Sequence, residues 1–599
     1  MDSKAIDQLE EIEKTNKKTG YDSDKNGTLY RLKGVDKIKL ANFNARITEE
    51  ITEDDGVNIK HSYAIQGETC GDTLPIVEIP ASKFASLNWL HEWGNRAIIE
   101  PGQTNKDYVR HSIQVRSNGI TSKTFFTHTG WRKVNNQGWV YLTANGAIGG
   151  NNVSVRFPRE LQRYNLPVQP EHEVKAIKAS LSFLDIGKRE ITLPLWSYIW
   201  LAPLTSLLDP MPNFSAYIQG ETGLWKTTLA LVLLAHFGLF SSVNNLSNFD
   251  DTVNALEKRA FTLKDSLLVI DDYHPAHRRA DAQHKEALAQ RIIRAYSNRT
   301  GRGRLASDTS DKGRYEPRGM LLITGEEIVS LQSTLARIMP IEISQGDISR
   351  EKLSEIQRSL NLLRSAMCSY ITWIRNHIQP IKENFPGRFI QLRDKAFEKD
   401  THKKLPEQIA FLQFALDTAL SWISDLGVLS EPKIFSLANE GWDIFTNLAV
   451  KQKQRIERED PVGLFESILQ TLVTQGKVRI EDKDDPGHER VIGGLQGDLI
   501  GYYDDCCLYL LPPALWQTLQ RFCLAEGSHF PFSKNTFYRI LAKRNRIKVK
   551  DDRNVIPEWI RGKTQRVLKF TGQIKAHEHG TFMDICGIEV RKVSDDSEA

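Results

Sequence analysis

The sequence predicts an α/β protein with a parallel-sheet core, an α+β domain before the core, and helical and winged-helix parts after it. Three apolar segments that each end in polar residues predict the core: FSAYIQG, DSLLVIDD and RGMLLITG. Strands that are buried on both faces are apolar throughout, and ligands of parallel sheets bind outside the carboxyl ends of the strands. The polar residues that end these segments are therefore candidates for a binding site.

Length and turn signals divide the chain into several domains. A chain of 599 residues is too long for one hydrophobic core. Short apolar runs that alternate with turn signals predict a β-rich domain before the core, and helical periodicity after the core predicts a helical subdomain. The predicted segments are a polar amino-terminal segment at 1–30, the α+β domain at 31–165, the core at 175–347, the helical subdomain at 348–460, a winged-helix-like region at 461–575 and a tail at 576–599.

Composition and charge are those of a globular protein. Hydrophobic residues make up 40% of the chain and charged residues 26%, which excludes a disordered chain. The six cysteines form no CxxC pair, a pattern typical of free thiols in a reducing compartment. The first residues also lack the basic and apolar parts of a secretion signal. We therefore expect a cytoplasmic protein.

One uncharged stretch nearly reaches membrane-spanning length. It is ITLPLWSYIWLAPLTSLL, between Glu190 and Asp209. Pro194 and Pro203 interrupt it, and a glycine-containing loop follows soon after it. A buried helix that packs beneath the sheet explains the stretch better than a membrane span does, and we expect no membrane contact.

The first of the three strands leads into a loop with the spacing of a phosphate-binding motif. In GETGLWKTT, Gly220, Lys226 and Thr227 hold the positions of the first glycine, the lysine and the hydroxyl residue. Glycines let backbone N–H groups point at phosphates, the lysine reaches the β- and γ-phosphates, and the hydroxyl binds Mg²⁺. Trp225 stands where the last glycine belongs, and a positive φ there would cost about 1–2 kcal/mol. The predicted nucleotide-binding residues are Gly220, Glu221, Thr222, Gly223, Leu224, Trp225, Lys226, Thr227 and Thr228.

The other two apolar strands end in residues that would complete a nucleotide-hydrolysing site. We predict that Asp271 binds Mg²⁺ together with Thr227, and that Asp272 polarises the attacking water. Thr324 ends the third strand, where it would sense the γ-phosphate. Taken singly, either aspartate could cap a helix, and Thr324 could simply end a strand. The order and spacing of the three elements together favour an ATP hydrolase with ATP and Mg²⁺ as cofactors.

Between the second and third strands the chain carries a basic, glycine-containing segment, SNRTGRGRLASDT. Arg299, Arg302 and Arg304 would lie on a flexible loop there, and in a ring-shaped motor such a loop could contact DNA phosphates in the pore. Alternatively, one of these arginines, or Arg337 in STLARIMPIEI, would act as an arginine finger in a neighbouring subunit's site. A solvated loop without either role is the remaining interpretation.

A second basic region lies near the carboxyl end. Between residues 534 and 569 there are twelve Lys or Arg and three acidic residues, and such clustering suits a polyanion. From Ser533 the sequence predicts a capped helix with one apolar face and one basic face, as in the second helix of a winged helix. We predict DNA contacts at Lys543, Arg544 and Arg546. A winged helix that serves only protein contacts is the alternative.

Several of these segments resemble a known group, the helicase-like ATPases of phages, plasmids, satellites and integrated elements, whose amino-terminal half is a domain of unknown function. The resemblance spans about residues 36–345, and it rests on KLANFNARI, WGNRAIIEPG, FTHTGW, LAPL, GETGLWKTTLA, LLVIDDYHP, GRGRL and STLAR in that order. It implies a RecA/AAA+-type P-loop ATPase core similar to that of superfamily-three helicases. It also implies a hexameric ring that acts on single-stranded or forked DNA, with any primase as a separate protein.

The leading interpretation is an ATP-dependent DNA helicase or translocase that replicates a mobile genetic element. The alternative is an ATPase that binds DNA or a partner in response to nucleotide, in origin binding, defence or regulation, without unwinding. Trp225 is the residue that best supports the alternative, because it departs from the phosphate-loop pattern.

Overall fold

We describe a computed structural model of the chain. The described residues are 19–274, 279–301, 314–328, 332–398, 404–458, 460–484, 491–504, 507–526, 530, 532–571, 573–577, 580–585 and 588–591. They fall into two compact units. The first unit comprises the described residues within 1–328, 337–399 and 406–448, and the second those within 329–336, 400–405 and 449–599. Across these ranges no helix is both long enough and apolar enough to cross a membrane.

The amino-terminal part of the first unit is built from three small sheets. The first has the order β1-β2-β3, the second β12-β8-β4-β5-β6 with β7 also paired to β5, and the third β11-β10-β9. The strands are β1 Tyr21–Ser23, β2 Leu29–Lys33, β3 Asp36–Ala41, β4 Phe43–Asp54, β5 Ile59–Thr69, β6 Asp72–Thr73, β7 Val77–Pro80, β8 Thr121–Phe126, β9 Gly130–Val134, β10 Gly138–Thr143, β11 Gly146–Ile148 and β12 Ser154–Val155. Two helices accompany them, α1 Ala81–Phe84 and α2 Asn105–Arg116.

The first strand begins ten residues before the predicted start of the α+β domain. Tyr21 is buried, and its hydroxyl lies 2.9 Å from Nδ1 of His111 on α2. The polar amino-terminal segment predicted at 1–30 therefore extends too far. The segment is polar overall, so its composition does not reveal Tyr21, the buried aromatic residue that connects β1 to the domain.

A five-stranded parallel sheet forms the core, with the order β14-β15-β16-β13-β17. Its strands are β13 Ser215–Gln219, β14 Ser247–Asn248, β15 Leu267–Tyr273, β16 Met320–Gly325 and β17 Ile338–Glu342. The helices around it are α3 Glu173–Leu181, α4 Arg189–Leu201, α5 Lys226–Leu234, α6 Val253–Thr262 and α7 Arg279–Asn298. The three predicted apolar strands are β13, β15 and β16, and β16 lies between the other two. The prediction of a mixed α/β protein with a parallel sheet is thus confirmed.

The uncharged stretch forms a buried helix, as predicted. Every residue of α4 from Ile191 to Leu201 is buried, and a 3-10 turn at Ala202–Leu207 follows it. Tyr198 on this helix donates a hydrogen bond of 2.8 Å to the carbonyl of Leu321 on β16. The stretch is apolar because it packs inside the first unit.

Lys264 and Asp265, which lie just before β15, anchor the amino-terminal part of the first unit to the core. The buried carboxylate of Asp265 accepts hydrogen bonds from the backbone N–H of Trp131 (3.0 Å) and of Ser206 (2.8 Å), and it pairs with the Lys264 ammonium. Tyr141 donates to the Asp265 carbonyl. Burial lowers the pKa of Lys264, while the adjacent carboxylate opposes that shift. These contacts hold the amino end of β15, the strand that carries Asp271 and Asp272.

Between residues 348 and 460 the described part of the chain is mostly helical. The helices are α9 Arg350–Gln357, α10 Leu360–Phe397, α11 Leu405–Asp425 and α12 Glu431–Arg458, and the short α8 Gln332–Leu335 precedes them. Aromatic residues of α10 and α11 pack together, with ring centroids of Phe389 and Phe411 4.7 Å apart.

The second unit combines helices with one six-stranded sheet of order β19-β18-β20-β21-β23-β22. Its elements are α13 Pro461–Thr474, β18 Val478–Asp482, β19 Val491–Gly493, β20 Asp498–Tyr503, β21 Cys507–Leu510, α14 Pro512–Ala525, α15 Lys534–Lys543, β22 Ile556–Ile560 and β23 Lys563–Thr571. Phe465 of α13, Phe537 of α15 and Phe570 of β23 lie in one buried cluster.

The segment predicted as a tail contains strands. A separate three-stranded antiparallel sheet has the order β24-β25-β26. Its strands are β24 Gln573–His577, β25 Gly580–Ile585 and β26 Ile588–Arg591. The predicted tail begins too early in the chain, because its prediction rests on the acidic residues at the carboxyl end.

Candidate nucleotide site

The loop that joins β13 to α5 contains two residues with positive φ. Gly223 has a φ of +87° and Trp225 a φ of +65°. Trp225 is the N-cap of α5, and its carbonyl accepts a hydrogen bond of 2.9 Å from the N–H of Leu229. The tryptophan therefore adopts the conformation that the missing glycine would have adopted, at a strain of about 1–2 kcal/mol.

Lys226 is held inside this loop. Only 9% of the residue is exposed. Its Nζ donates hydrogen bonds to the carbonyls of Gly220 (2.7 Å) and Glu221 (2.8 Å). No carboxylate pairs with it among the residues that the structure describes. The loop thus positions a positive charge that is solvated by backbone dipoles, beside the amino end of a helix, where anions are favoured.

The close approach of two backbones explains why the loop begins with glycine. A Cβ at Gly220 would lie 2.6 Å from the carbonyl oxygen of Ile343, which follows β17. No L side chain fits that space without a backbone shift, so the loop stays close to β17.

Three separate segments bring hydroxyl and carboxyl groups together at the carboxyl ends of the strands. The Thr227 hydroxyl donates to the Asp271 carboxylate, with Oγ1 3.0 Å from Oδ1 and 3.1 Å from Oδ2. Thr324 donates to the same carboxylate, and its Oγ1 accepts a hydrogen bond of 3.0 Å from the N–H of Asp272. Thr324 reaches both aspartates because β16 is the direct neighbour of β15.

The two aspartates have different surroundings. Asp271 is 5% exposed, and burial raises its pKa, while the hydrogen bonds from Thr324 and Thr227 lower it. The side chain of Asp272 is 65% exposed and lies 3.3 Å from Nδ1 of His274. Asp272 has a φ of +62° and lies at an irregularity in the pairing of β15 with β16.

Glu326 also belongs to the site, although the sequence did not single it out. Its carboxylate accepts a hydrogen bond from the Thr222 hydroxyl of the loop. The signal for it was present in the sequence, because Glu326 follows Thr324 by two residues at the end of β16. Acidic residues at the carboxyl end of a parallel strand next to the loop strand are candidates for the same site.

The oxygen donors at the site suit a divalent cation. Mg²⁺ prefers hard oxygen ligands and usually binds one or two carboxylates together with substrate phosphates. The Thr227 hydroxyl and the Asp271 carboxylate already lie within hydrogen-bond distance of each other. The oxygen donors of Thr227 and Asp271 therefore fit Mg²⁺.

The predicted arginines have different environments. Arg299 donates to the backbone carbonyls of Pro212 (3.0 Å from Nε) and Gly319 (2.7 Å from Nη1), and burial lowers its pKa. A guanidinium that holds two chain segments together is poorly available to DNA, and the DNA contact of Arg299 stays a prediction. Arg302 and Arg304 lie outside the described residues.

Arg337 directly precedes β17, at the amino edge of the sheet. Its carbonyl accepts a hydrogen bond of 3.0 Å from the N–H of Ser215, the first residue of β13. The nucleotide residues lie at the opposite, carboxyl edge. Arg337 therefore does not belong to the site of its own chain, and the arginine-finger role remains a prediction about a neighbouring subunit.

The basic residues at the end of α15 divide into paired and unpaired ones. Arg544 pairs with Asp460 at 2.5 Å, and Arg546 with Glu466 at 3.2 Å. Asn535, Arg539 and Lys543 are exposed along one side of α15, opposite its buried residues, and neither basic residue forms an ion pair with the described residues. Of the three predicted DNA contacts, Arg544 and Arg546 are thus paired, whereas Lys543 forms no ion pair with the described residues.

The fold of the chain is similar to that of a helicase of known structure. No family model matches the chain, and no curated protein matches its sequence. The structure is similar to that of Cch of SCCmec type IV, an active helicase, with a TM-score of 0.54 and 12% identity over 92% of this chain and 97% of that one. Two further solved structures match with TM-scores too low to indicate a shared fold. They are an inhibitor-bound JCV helicase (TM-score 0.22, 14% identity, 36% of this chain and 61% of that one) and the apo C-terminal region of NrS-1 (TM-score 0.23, 10% identity, 66% of this chain and 86% of that one). The chain therefore has a helicase-like fold.

Proposed function

We propose that this helicase-like chain is an ATP-dependent DNA helicase or translocase that replicates a mobile genetic element. One observation carries the proposal: Lys226, Thr227, Asp271 and Thr324 come from three separate segments and meet at the carboxyl edge of one parallel sheet. That constellation suits the hydrolysis of a nucleoside triphosphate. The similarity in fold to an active helicase over 92% of the chain supports DNA as the polymer along which the protein moves.

Binding of ATP would use the loop and the start of α5. Backbone N–H groups of the loop would donate hydrogen bonds to the phosphate oxygens, and the Lys226 ammonium would exchange its two carbonyl partners for phosphate oxygens. Both partners of Lys226 are neutral, so the exchange breaks no ion pair. Charge-assisted hydrogen bonds are about twice as strong as neutral ones, which favours the phosphate.

Thr227 and Asp271 would hold Mg²⁺, which when bound neutralises the charge on the β- and γ-phosphates. Asp271 must be ionised for this role. Because burial raises its pKa, its affinity for a cation falls at a higher pH than that of an ordinary aspartate when the solution is acidified. Thr324 favours the ionised form by donating a hydrogen bond to the carboxylate.

Hydrolysis would use Asp272. Its carboxylate is exposed beside the buried Asp271 and can accept a hydrogen bond from a water that attacks the γ-phosphate. The Thr324 hydroxyl contacts the Asp271 carboxylate and the Asp272 N–H at once. A shift of either aspartate would therefore be transmitted to Thr324, as expected for a γ-phosphate sensor.

We extend the proposal to a hexameric ring. Arg337 lies at the sheet edge opposite its own nucleotide residues, so an arginine finger at this position would act on a neighbour. The primase that accompanies such a helicase would be a separate protein. An ATP-driven unwinding assay on a forked DNA, with Lys226→Ala beside the wild type, tests the function. Absence of ATP-dependent unwinding in the wild type would contradict it.

Replacing Arg539 and Lys543 of α15 together with alanine is expected to weaken DNA binding at any sequence. Two lost phosphate contacts would reduce the slope of log K against log salt by about 1.8 on duplex DNA. ATP hydrolysis without DNA should persist, because these residues lie outside the first unit. The measurement is fluorescence anisotropy at several salt concentrations.

The matched control is the double alanine variant of Arg544 and Arg546. Their charges are already paired with Asp460 and Glu466, so a smaller change in slope is expected. A larger loss in the control than in the Arg539 and Lys543 variant would mean that the ion pairs open on DNA, as the sequence alone suggests.

A second candidate function is an ATPase that changes its binding to DNA or a partner with nucleotide but does not unwind. Trp225 favours it, because a strained bulky residue in the phosphate loop can slow turnover. ATP hydrolysis that single-stranded DNA stimulates would favour the helicase, and nucleotide binding without such stimulation would favour the second candidate.

Replacing Trp225 with glycine is expected to preserve or raise nucleotide affinity. The loop conformation is already that of glycine at this position, with a φ of +65°, so the change relieves about 1–2 kcal/mol of strain. Trp225→Ala is the matched control, since it removes the indole but keeps the Cβ that causes the strain. Titration with a fluorescent ATP analogue should rank glycine above alanine. Equal weakening in both variants would instead show that the indole itself contacts the nucleotide or a neighbour.

A further inference from the structure

The second unit has an exposed tryptophan whose side chain is not packed in the core of that unit. Trp559 on β22 is 65% exposed. Within the described residues its indole makes no contact with another aromatic ring or a cation, and its Nε1 donates no hydrogen bond. A large aromatic surface left in water is unfavourable, so this position suggests a ligand with a flat, apolar face.

The direction in which Trp559 points follows from the turn and the register of its hairpin. Arg561 and Gly562 form the turn, with φ values of 47° and 76°, as a tight two-residue hairpin requires. Ile556 and Ile560 of β22 are buried, and alternate residues of a strand point to opposite faces. Trp559 therefore lies on the outward face because of the register of the strand.

The same outward face carries an arginine. Trp559 pairs with Thr564, and Pro557 pairs with Arg566, two residues further along each strand. All four residues are exposed. A residue diagonal to a cross-strand pair is within reach of a long side chain. The face thus presents an indole ring with a guanidinium beside it.

The charge of the segment that contains the hairpin suggests the class of ligand. Of the twelve basic residues between 534 and 569, four are paired with acidic residues of the second unit: Arg544, Arg546, Arg561 and Lys569. The other eight form no ion pair with the described residues: Lys534, Arg539, Lys543, Lys548, Lys550, Arg553, Lys563 and Arg566. This excess of free cations suits a polyanion.

We propose that the outward face of the β22–β23 hairpin is a base-stacking site for single-stranded DNA. Trp559 stacks on an unpaired base, and Arg566 contacts a phosphate of the same strand. Aromatic stacking platforms flanked by cations bind single strands without sequence preference, because every base has a π face. Duplex DNA hides its base faces, which is why the site prefers a single strand. The inference rests on the proposed function, and it adds a strand-binding site in the second unit.

The first test measures the affinity of the full chain for a fluorescein-labelled oligo(dT) at several salt concentrations. Trp559→Ala is expected to weaken binding about tenfold, within the roughly 5- to 150-fold range of one lost stacking contact, with no change in salt slope. Trp559→Phe should retain most of the affinity. Arg566→Ala should reduce the slope by about 0.7, the value for one phosphate of a single strand. Leu495→Ala, which alters another exposed apolar residue of the second unit, should change nothing.

An abasic strand separates stacking from other contacts, because it keeps the phosphates and lacks the bases. The wild type should lose about the same factor on the abasic strand as Trp559→Ala loses on oligo(dT), and Trp559→Ala should lose nothing further there. Equal losses on intact and abasic strands, an equal loss on duplex DNA, or unchanged affinity for oligo(dT) would each overturn the stacking site. A Trp559→Ala chain whose sedimenting mass changes while its DNA affinity does not would assign the indole to a protein contact instead.

The outcome for the stacking site is separable from that for the helicase. A wild-type chain that unwinds forked DNA while Trp559→Ala binds oligo(dT) normally refutes only the stacking site. A wild-type chain without ATP-driven unwinding whose single-strand binding depends on Trp559 refutes only the helicase.

Discussion

Replacing Lys226 with alanine is expected to abolish ATP hydrolysis and to weaken nucleotide binding by about 2–5 kcal/mol, or roughly 30- to 4,000-fold. The Lys226 Nζ is held at the loop by two carbonyls, so its loss would remove the positive charge that the loop positions for the phosphates. Isothermal titration with a non-hydrolysable ATP analogue measures the binding, and phosphate release measures the hydrolysis.

Lys258→Ala is the matched control for this variant. Lys258 is an exposed lysine on α6 in the same unit, so its loss removes the same charge from a different place. Binding and hydrolysis should remain at the wild-type level. If Lys226→Ala hydrolyses ATP as fast as the control, the loop at 220–228 does not bind the phosphates.

Replacing Asp272 with asparagine is expected to slow hydrolysis by about 10²- to 10⁴-fold, the usual contribution of a general base, and to leave ATP affinity nearly unchanged. The Asp272 side chain is exposed and contacts neither Lys226 nor Thr227 among the described residues. Single-turnover hydrolysis beside analogue titration separates the chemical step from binding.

Asp271→Asn provides the contrast. Because Asp271 contacts Thr227 directly, its loss should weaken Mg²⁺-dependent nucleotide binding as well as hydrolysis. The two adjacent aspartates would then differ in which step they affect. Equal loss of binding in both variants would show that the roles assigned to Asp271 and Asp272 are incorrect.

Glu326 and Thr324 illustrate what local pattern can and cannot predict. The end of β16 is visible in the sequence as an apolar run followed by polar residues, and Thr324 was predicted from that run. The sequence does not show which strands lie next to β16. The structure places β16 between β13 and β15, so Thr324 contacts both aspartates and Glu326 contacts the loop.

The arginines show what a local pattern leaves out. Basic residues among glycines predicted DNA contact at Arg299, but its guanidinium binds carbonyls of Pro212 and Gly319. Arg544 and Arg546 read as free charges, yet their acidic partners lie about 80 residues earlier in the chain. A charge run does not reveal its partners, because ion pairs depend on which distant side chains the fold brings within 4 Å.

The sequence by itself determined the class of the core, the buried helix before it, the phosphate-loop spacing and the acidic strand end, because periodicity and motif spacing are local properties of the chain. It also determined that residue 225 is a tryptophan where a glycine is expected. Only the tertiary structure decided that Trp225 takes the glycine conformation, that Thr324 links Asp271 to Asp272, and that Trp559 faces outward beside Arg566. These features depend on strand order, register and long-range side-chain contacts, which arise when segments far apart in the chain pack together.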